Sequence, residues 1–304
     1  MAEGTGQAHR DAFLDEAPLA EVEAAVQDAL ARGSDEDLRV LGYGEITLVL
    51  GWPTEEPRWA CKRLPAFDSF AAAHAYGDQL DRYLAVLAER GVDPAPSALR
   101  LVEGSARPVA YVVQPVLPAS SLGPQVLRGG DDEAARRLLQ QVVDVVPGVV
   151  DDRVGIDGQI SNWALVDGEL RYLDVSTPML FDVAGRVVLD LDLFLAAYPW
   201  LLRAPIRRFV APDVIGAYRD ARHVLVDLVA NLVKERLERW LPVALDLVND
   251  AVVPAVTEDE VRAYYRSDAR LWEVMLRLRR ADRWWQRTVR RRTYPFLLPG
   301  PIER

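Results

Sequence analysis

The stretch Val154–Asp174, VGIDGQISNWALVDGELRYLD, sets the terms for the whole chain. It holds Asp157 and Asn162, then Asp167-Gly168 between two short apolar runs, then Asp174. An Asp-Gly pair flanked by alternating apolar residues is a strong hairpin signal, so strands are expected over 162–166 and 169–173. A hairpin there brings Asn162 and Asp174 side by side, the geometry for sharing a magnesium ion through oxygen ligands. Asp157 sits with Asn162 on the loop before the hairpin. Together the three make a candidate phosphoryl-transfer centre. Taken alone, they also read as two ordinary loops making turn hydrogen bonds. The upstream chain decides between these.

Upstream, residues 39–52, RVLGYGEITLVLGW, suggest strand, tight turn, strand, with Gly42 and Gly44 in the turn and Ile46, Leu48 and Leu50 alternating after it. Glycines there let backbone N–H groups approach a phosphate closely, although an ordinary hairpin needs no more. Residues 57–64, PRWACKRL, read as a strand with Trp59, Cys61 and Arg63 on one face and Ala60, Lys62 and Leu64 on the other. A lysine held against apolar residues needs a counter-charge. The helix expected over 67–90 offers Asp78 and Asp81, three residues apart on one face. Either suits, and Asp81 is preferred. The 36 basic residues comprise 34 Arg and two Lys, Lys62 and Lys234. A lysine kept by so arginine-rich a chain points to a place where a compact ammonium is needed.

Helical spacing also appears over 18–32, with Gly33 as a stop. Strands are expected over 97–102 and 108–113, joined by the turn 103–107. The proline-containing stretch that follows is a stiff connector. It divides the chain into residues 1–37, an N-terminal extension with a helix; 38–117, a unit of sheet and helix; and 118–304, a mainly helical unit. Within the last, a helix over 131–146 is expected to break at Pro147-Gly148. Further helices are expected over 188–202, 212–253 with room for a break inside it, 258–265 and 271–291.

Composition bounds the function. Half of the 304 residues are hydrophobic, as in a globular protein. A net charge of −10 argues against nucleic-acid binding. Residues 265–304 hold eleven Arg against four acids, a local +7, which leaves −17 on the rest. Such a tail reads as a docked or solvated helix face, or more sharply as a site for an anionic partner. Cys61, the single cysteine, forms no internal disulfide, so a reducing cytoplasm is expected. The N-terminus is not a secretory signal, and no apolar run is long enough to span a bilayer. His9, His74 and His223 lack the spacing of a hydrolytic metal site, and Walker A and G-x-S-x-G motifs are absent.

Glycine turn, strand lysine, acidic helix, connector, helix, D-x-x-x-x-N loop, hairpin and Asp follow in an order that resembles the protein-kinase-like fold. Within that fold the chain is most similar to the aminoglycoside phosphotransferase and choline-kinase branch. IDGQISNW suggests a separate actinobacterial-type subfamily of it. The resemblance covers roughly residues 38–180. It implies an α+β, two-lobed molecule with an antiparallel-sheet N-lobe and a mainly helical C-lobe. It implies an enzyme that uses ATP and Mg2+ to phosphorylate a hydroxyl of a small-molecule acceptor. A peptide or protein acceptor, or a pseudokinase serving as a nucleotide-binding scaffold, are the alternatives. By the same resemblance Gly42 and Gly44 sit over the nucleotide phosphates. Lys62 meets the α- and β-phosphates and pairs with a helix acid such as Asp81. Residues 114–117, including Gln114 and Val116, line the adenine pocket through backbone groups. Asp157 is the catalytic carboxylate, and Asn162 and Asp174 hold magnesium. The loop reads Gly155-Ile156-Asp157 where the family usually has His-x-Asp, and the last motif reads DVSTP. Asp190, Asp192, Trp200, Tyr218 and Trp272 are the candidates for the acceptor side.

Overall fold

The computed structural model describes residue 13 and residues 17–44, 47–102 and 107–298. Five antiparallel strands form one sheet: β1 (Val40–Tyr43), β2 (Leu48–Trp52), β3 (Trp59–Arg63), β4 (Ala98–Leu101) and β5 (Ala110–Pro115), in the order β1-β2-β3-β5-β4. The register sets Cys61 against Leu50 and Val113, and Lys62 against Val49 and Val112. Directly opposed residues share a face. One face therefore carries Leu50, Cys61 and Val113, all buried, and the other carries Lys62.

Helix α1 (Leu19–Arg32) covers the Cys61 face. Its buried stripe of Leu19, Val22, Val26, Ala29 and Leu30 has helical spacing, and Gly33 ends it in the left-handed conformation. The N-terminal extension expected over 1–37 is thus, in its described part, a layer of the sheet's own core. Helix α2 (Phe70–Glu89), capped by Ser69, turns Ala73, Tyr76, Leu80, Tyr83 and Leu87 inward.

The rest is mainly helical: α3 (Gly123–Arg128), α4 (Asp132–Val149), α5 (Leu191–Leu195), α6 (Trp200–Phe209), α7 (Ala211–Ala217), α8 (Ala221–Lys234), α9 (Leu241–Ala251) and α10 (Glu258–Thr288). A two-stranded hairpin, β6 (Trp163–Val166) and β7 (Glu169–Tyr172), precedes α5. Asp167 and Gly168 both have positive φ, the turn that an Asp-Gly pair favours. A second core joins α2, α4, the hairpin, α8 and α9. Helix α8 lies deepest, with every residue from 224 to 232 buried.

Four expectations change. The helix expected over 188–202 is α5 and the start of α6, separated at 196–199. Pro147 does not break its helix; α4 runs on to Val149. Pro147 lies in the last turn, so its missing N–H costs one bond near an end, and Val150 N–H still reaches Val146 O. The helix expected over 212–253 is three helices separated at 218–220 and 235–240. The helices expected over 258–265 and 271–291 are one helix of 31 residues, because the polar run between them is an exposed face, not an end. Part of the basic face of α10 is docked within the fold. Arg287 donates to the carbonyls of Ala31 and Arg32 at the end of α1, and Arg279 is buried over Phe296. Among the described residues, no helix is long and apolar enough to cross a membrane. Glu45 and Ile46, most of the turn 103–107, and His9 lie outside the described residues.

Candidate active site

The loop before β6 is held from three sides. Tyr83 of α2 donates its hydroxyl to Gly155 O at 2.9 Å. The Trp163 indole donates to Gly158 O at 3.2 Å. The Asp157 carboxylate accepts Gln159 N–H at 3.0 Å. A Cβ at Gly155 would stand 2.8 Å from Tyr218 O, and one at Gly158 would stand 2.6 Å from Val224 Cγ1. Real Cβ atoms do not come so close, so the backbone of 155–158 lies directly on the start of α8 and the segment before it. Position 155 therefore has no room for a His side chain. The bracing comes from Tyr83 and the backbone contacts instead.

Asn162 directs its Nδ2 at Asp157 O, 3.4 Å away, and accepts Leu173 N–H on its own backbone carbonyl at 2.8 Å. The second bond closes the base of the hairpin and sets Asn162 beside the Leu173-Asp174 segment. Lys62 Nζ donates to Asp174 Oδ1 at 2.8 Å, and Ser176 Oγ donates to the same oxygen at 2.9 Å. Tyr76 of α2 holds Ser176 by its carbonyl at 2.7 Å. A Cβ at Gly44 would lie 3.9 Å from Lys62 Cε, and Gly44 N–H closes the turn on Thr47 O at 2.8 Å. Gly42 lies in β1 with open space beside it. Gln114 bridges the two parts of the chain, donating to Ser97 Oγ at 2.8 Å and to Leu173 O at 2.9 Å. Gly44, Lys62, Gln114, Asp174, Asn162 and Asp157 thus form one connected centre.

Two expected contacts differ. The carboxylate that meets Lys62 is Asp174, not Asp78 or Asp81 of α2. Both helix acids fall on the exposed side of α2, and the inward positions belong to Tyr76 and Tyr83. The N–H of Val116 is engaged by Arg58 O at 3.0 Å, which extends the β3–β5 pairing, so that donor is not offered to an adenine ring.

The two carboxyls are set oppositely. Burial raises Asp174, but the Lys62 ammonium and the hydrogen bonds from Lys62 and Ser176 hold it below the usual range. Burial, with the charges of Asp227 and Asp174 added, pushes Asp157 up to about 8. Asp227 of α8 is itself pushed up to about 6, by burial first and by Asp268 of α10 as well. Among the described residues no group of three or more His, Cys, Asp or Glu forms a metal cluster. The donor set still suits magnesium, which takes one or two protein oxygens and completes its shell with water and phosphate. Asp174 is held as a carboxylate, and Asn162 turns its amide nitrogen to Asp157 O, so its side-chain oxygen is the atom that could serve as a ligand.

Beyond Asp157 lies a set of residues that the sequence did not single out for the site. Gln159 Nε2 donates to Asp227 Oδ2 at 3.1 Å, and Gln159 Oε1 accepts from Asn231 Nδ2 at 3.1 Å and from Lys234 Nζ at 3.3 Å. Lys234, the chain's second lysine, therefore lies beside the Asp157 loop and apart from the Lys62–Asp174 pair. The spacing Asp227, Asn231, Lys234 within the apolar run that begins at Val224 was the available signal. Of the five residues expected on the acceptor side, Tyr218 reaches the Asp157 loop through its backbone carbonyl, and the other four are not in this set. Asp190 caps α5, Asp192 pairs with Arg207, Trp200 is 66 % exposed on α6, Tyr218 serves through its backbone, and Trp272 is on α10 outside this set.

Fold and site together define an α+β protein with a polar centre where a glycine turn and a strand lysine meet a hairpin loop bearing Asp, Asn and Asp. The chain belongs to a family of unknown function, DUF6206, whose model matches residues 21–283. No curated protein matches it.

Proposed function

We propose that the chain is a phosphotransferase of the two-lobed, protein-kinase-like kind, acting in the cytoplasm. It uses ATP and magnesium to phosphorylate a hydroxyl of a small-molecule acceptor. The observation that carries this reading is the Lys62–Asp174 bond beside Gly44, which joins the sheet to the segment after the hairpin, itself bonded to Asn162 through Leu173. Phosphoryl transfer needs positioned charge more than covalent help, and these residue types supply it.

In this reading Gly42 and Gly44 lie over the phosphates of ATP, and Lys62 answers their charge. Gln114 and the segment around Val116 border the adenine side. Asn162 and Asp174 would hold magnesium, which when bound neutralises charge on the phosphate oxygens. Asp157 orients the acceptor hydroxyl and takes its proton as the acceptor oxygen bonds to the γ-phosphorus. The bond from that phosphorus to the β,γ-bridging oxygen breaks, and ADP leaves with its electron pair.

A nucleotide-binding scaffold is the second reading, favoured by one observation: the loop enters as Gly155-Ile156-Asp157, and position 155 has no room for the His of the His-x-Asp pattern.

Calorimetry of Mg·ATP binding to the wild type and to Asp174→Ala tests the proposal. Binding by the wild type and its loss in the variant are expected. No binding by the wild type sinks both readings. Binding with no transfer across a broad acceptor screen selects the scaffold. Normal ATP binding with lost transfer in Asp157→Ala supports the role given to that carboxylate.

A further inference from the structure

Close to Asp157 a shallow, open depression lies between α8 and α10. Gln159, Asp227, Asn231, Lys234, Tyr264 and Asp268 are in its wall. We propose that it is the acceptor subsite of the phosphotransferase and that it takes a small zwitterion, a hydroxy amino acid with one ammonium and one carboxylate. The assignment rests on the phosphotransferase reading and adds the class of acceptor to it.

Three observations point there. First, the polar wall is built from inside the fold. Asp227 is 4 % exposed and Asn231 2 %, on a helix whose neighbouring residues are core. A buried carboxylate is costly, and a purely structural helix would carry an apolar residue there. Second, charge is separated along the wall. Asp227 and Lys234 are seven residues apart on α8, about 10 Å along its axis, and on the same face. Asp268 of α10 adds its field at the Asp227 end. Third, the Gln159 carboxamide lies between these ends, donating to Asp227 and accepting from Lys234. It is aligned as a ligand with a positive and a negative end would be.

Charge counting then selects the ligand. An amine alone would leave the Lys234 ammonium unanswered. A hydroxy acid without an amine would bring an anion towards Asp227 and Asp268. A zwitterion meets both, with its ammonium at the Asp227 and Asp268 end, its carboxylate at Lys234 and its hydroxyl towards Asp157. Lys234 is one of two lysines against 34 arginines, and a compact ammonium leaves space for such a ligand where a guanidinium would fill it.

Calorimetry on the full chain saturated with Mg·ADP tests this with four probes: L-serine, L-homoserine, ethanolamine and glycolate. At least one amino acid is expected to bind tenfold or more tightly than both ethanolamine and glycolate. Lys234→Met should abolish the preference over ethanolamine, and Asp268→Asn the preference over glycolate, with Mg·ADP affinity within twofold of wild type in each. Ethanolamine or glycolate binding as tightly as the amino acids overturns the assignment. So does the absence of amino-acid binding in a protein that binds Mg·ADP; both results leave the phosphotransferase reading standing. A wild type that does not bind Mg·ADP overturns that reading itself.

Discussion

Lys62 and Arg63 are neighbours on β3, yet they serve opposite faces of the sheet. Arg63 points to the face closed by α1, and its guanidinium grips Glu23 with two bonds of 2.8 Å, Nε to Oε2 and Nη2 to Oε1. Tyr111 and Gln27 each donate a further bond of 2.6 Å to the same carboxylate. Lys62 points the other way and makes one bond, to a residue 112 positions along the chain. A guanidinium fork fixes a carboxylate in one geometry, while an ammonium is a point charge that can be shared with a newcomer. One strand therefore carries a permanent ion pair on its dry face and an exchangeable one on its half-open face. The choice between Arg and Lys marks which is which.

The sharpest way to break this contrast is to remove one acid from the closed face. Glu23→Ala leaves the Arg63 charge buried without its partner, and such losses cost about 3–5 kcal/mol. Urea unfolding should show it, while Mg·ATP binding persists at low temperature. A loss below about 1 kcal/mol would make the Arg63 pair no more structural than the Lys62 pair.

Lys62→Met should act on ligand binding instead. Mg·ATP affinity is expected to fall ten- to a hundredfold, about 1.4–2.7 kcal/mol, with unfolding stability changed by less than about 1 kcal/mol. Asp174 keeps contact with solvent and the Ser176 hydroxyl, so it is not stranded. Lys62→Arg should not restore binding, because a planar fork is not interchangeable with a compact point charge. A stability loss equal to that of Glu23→Ala would erase the distinction. The converse exchange, Arg63→Lys, gives up one arm of the fork and should cost about 1–2 kcal/mol in the same urea experiment.

The contrast also explains what the sequence disclosed. The alternation of PRWACKRL placed Lys62 and Arg63 on their correct faces, because side-chain direction in a strand follows from period alone. Asp167-Gly168 announced its hairpin because a turn with two positive φ angles accepts few other pairs. The partner of Lys62 was not legible. Strand period gives a direction but no distance, and a nearby helix acid competed on equal terms with one from a segment 112 residues on. Gly155 and Gly158 are in plain view as letters, but their purpose depends on Tyr218 and Val224, which only folding brings alongside. Lys234 was conspicuous by rarity. Its place beside Gln159 required the crossing of α8 with the loop, which no local pattern encodes.

The smallest effect is also the most diagnostic of the closed face. Burial raises the Glu23 carboxyl, but Arg63, Tyr111 and Gln27 outweigh it and hold the group below its ordinary 4.5. A carboxyl with a depressed folded value stabilises fully above its unfolded value, and that contribution is lost as pH falls through the folded one. Wild-type stability should therefore decline below about pH 4.5 partly through this group. Glu23→Gln keeps the shape and removes the charge. It should lower stability near pH 7, where the Arg63 charge loses its partner, and the gap to wild type should close in the acid range, where the wild-type carboxyl is neutral as well. Urea midpoints measured from pH 7 to pH 3 test this directly. Two parallel curves would mean that Glu23 holds Arg63 by shape and hydrogen bonding alone, and that the closed face owes nothing to charge.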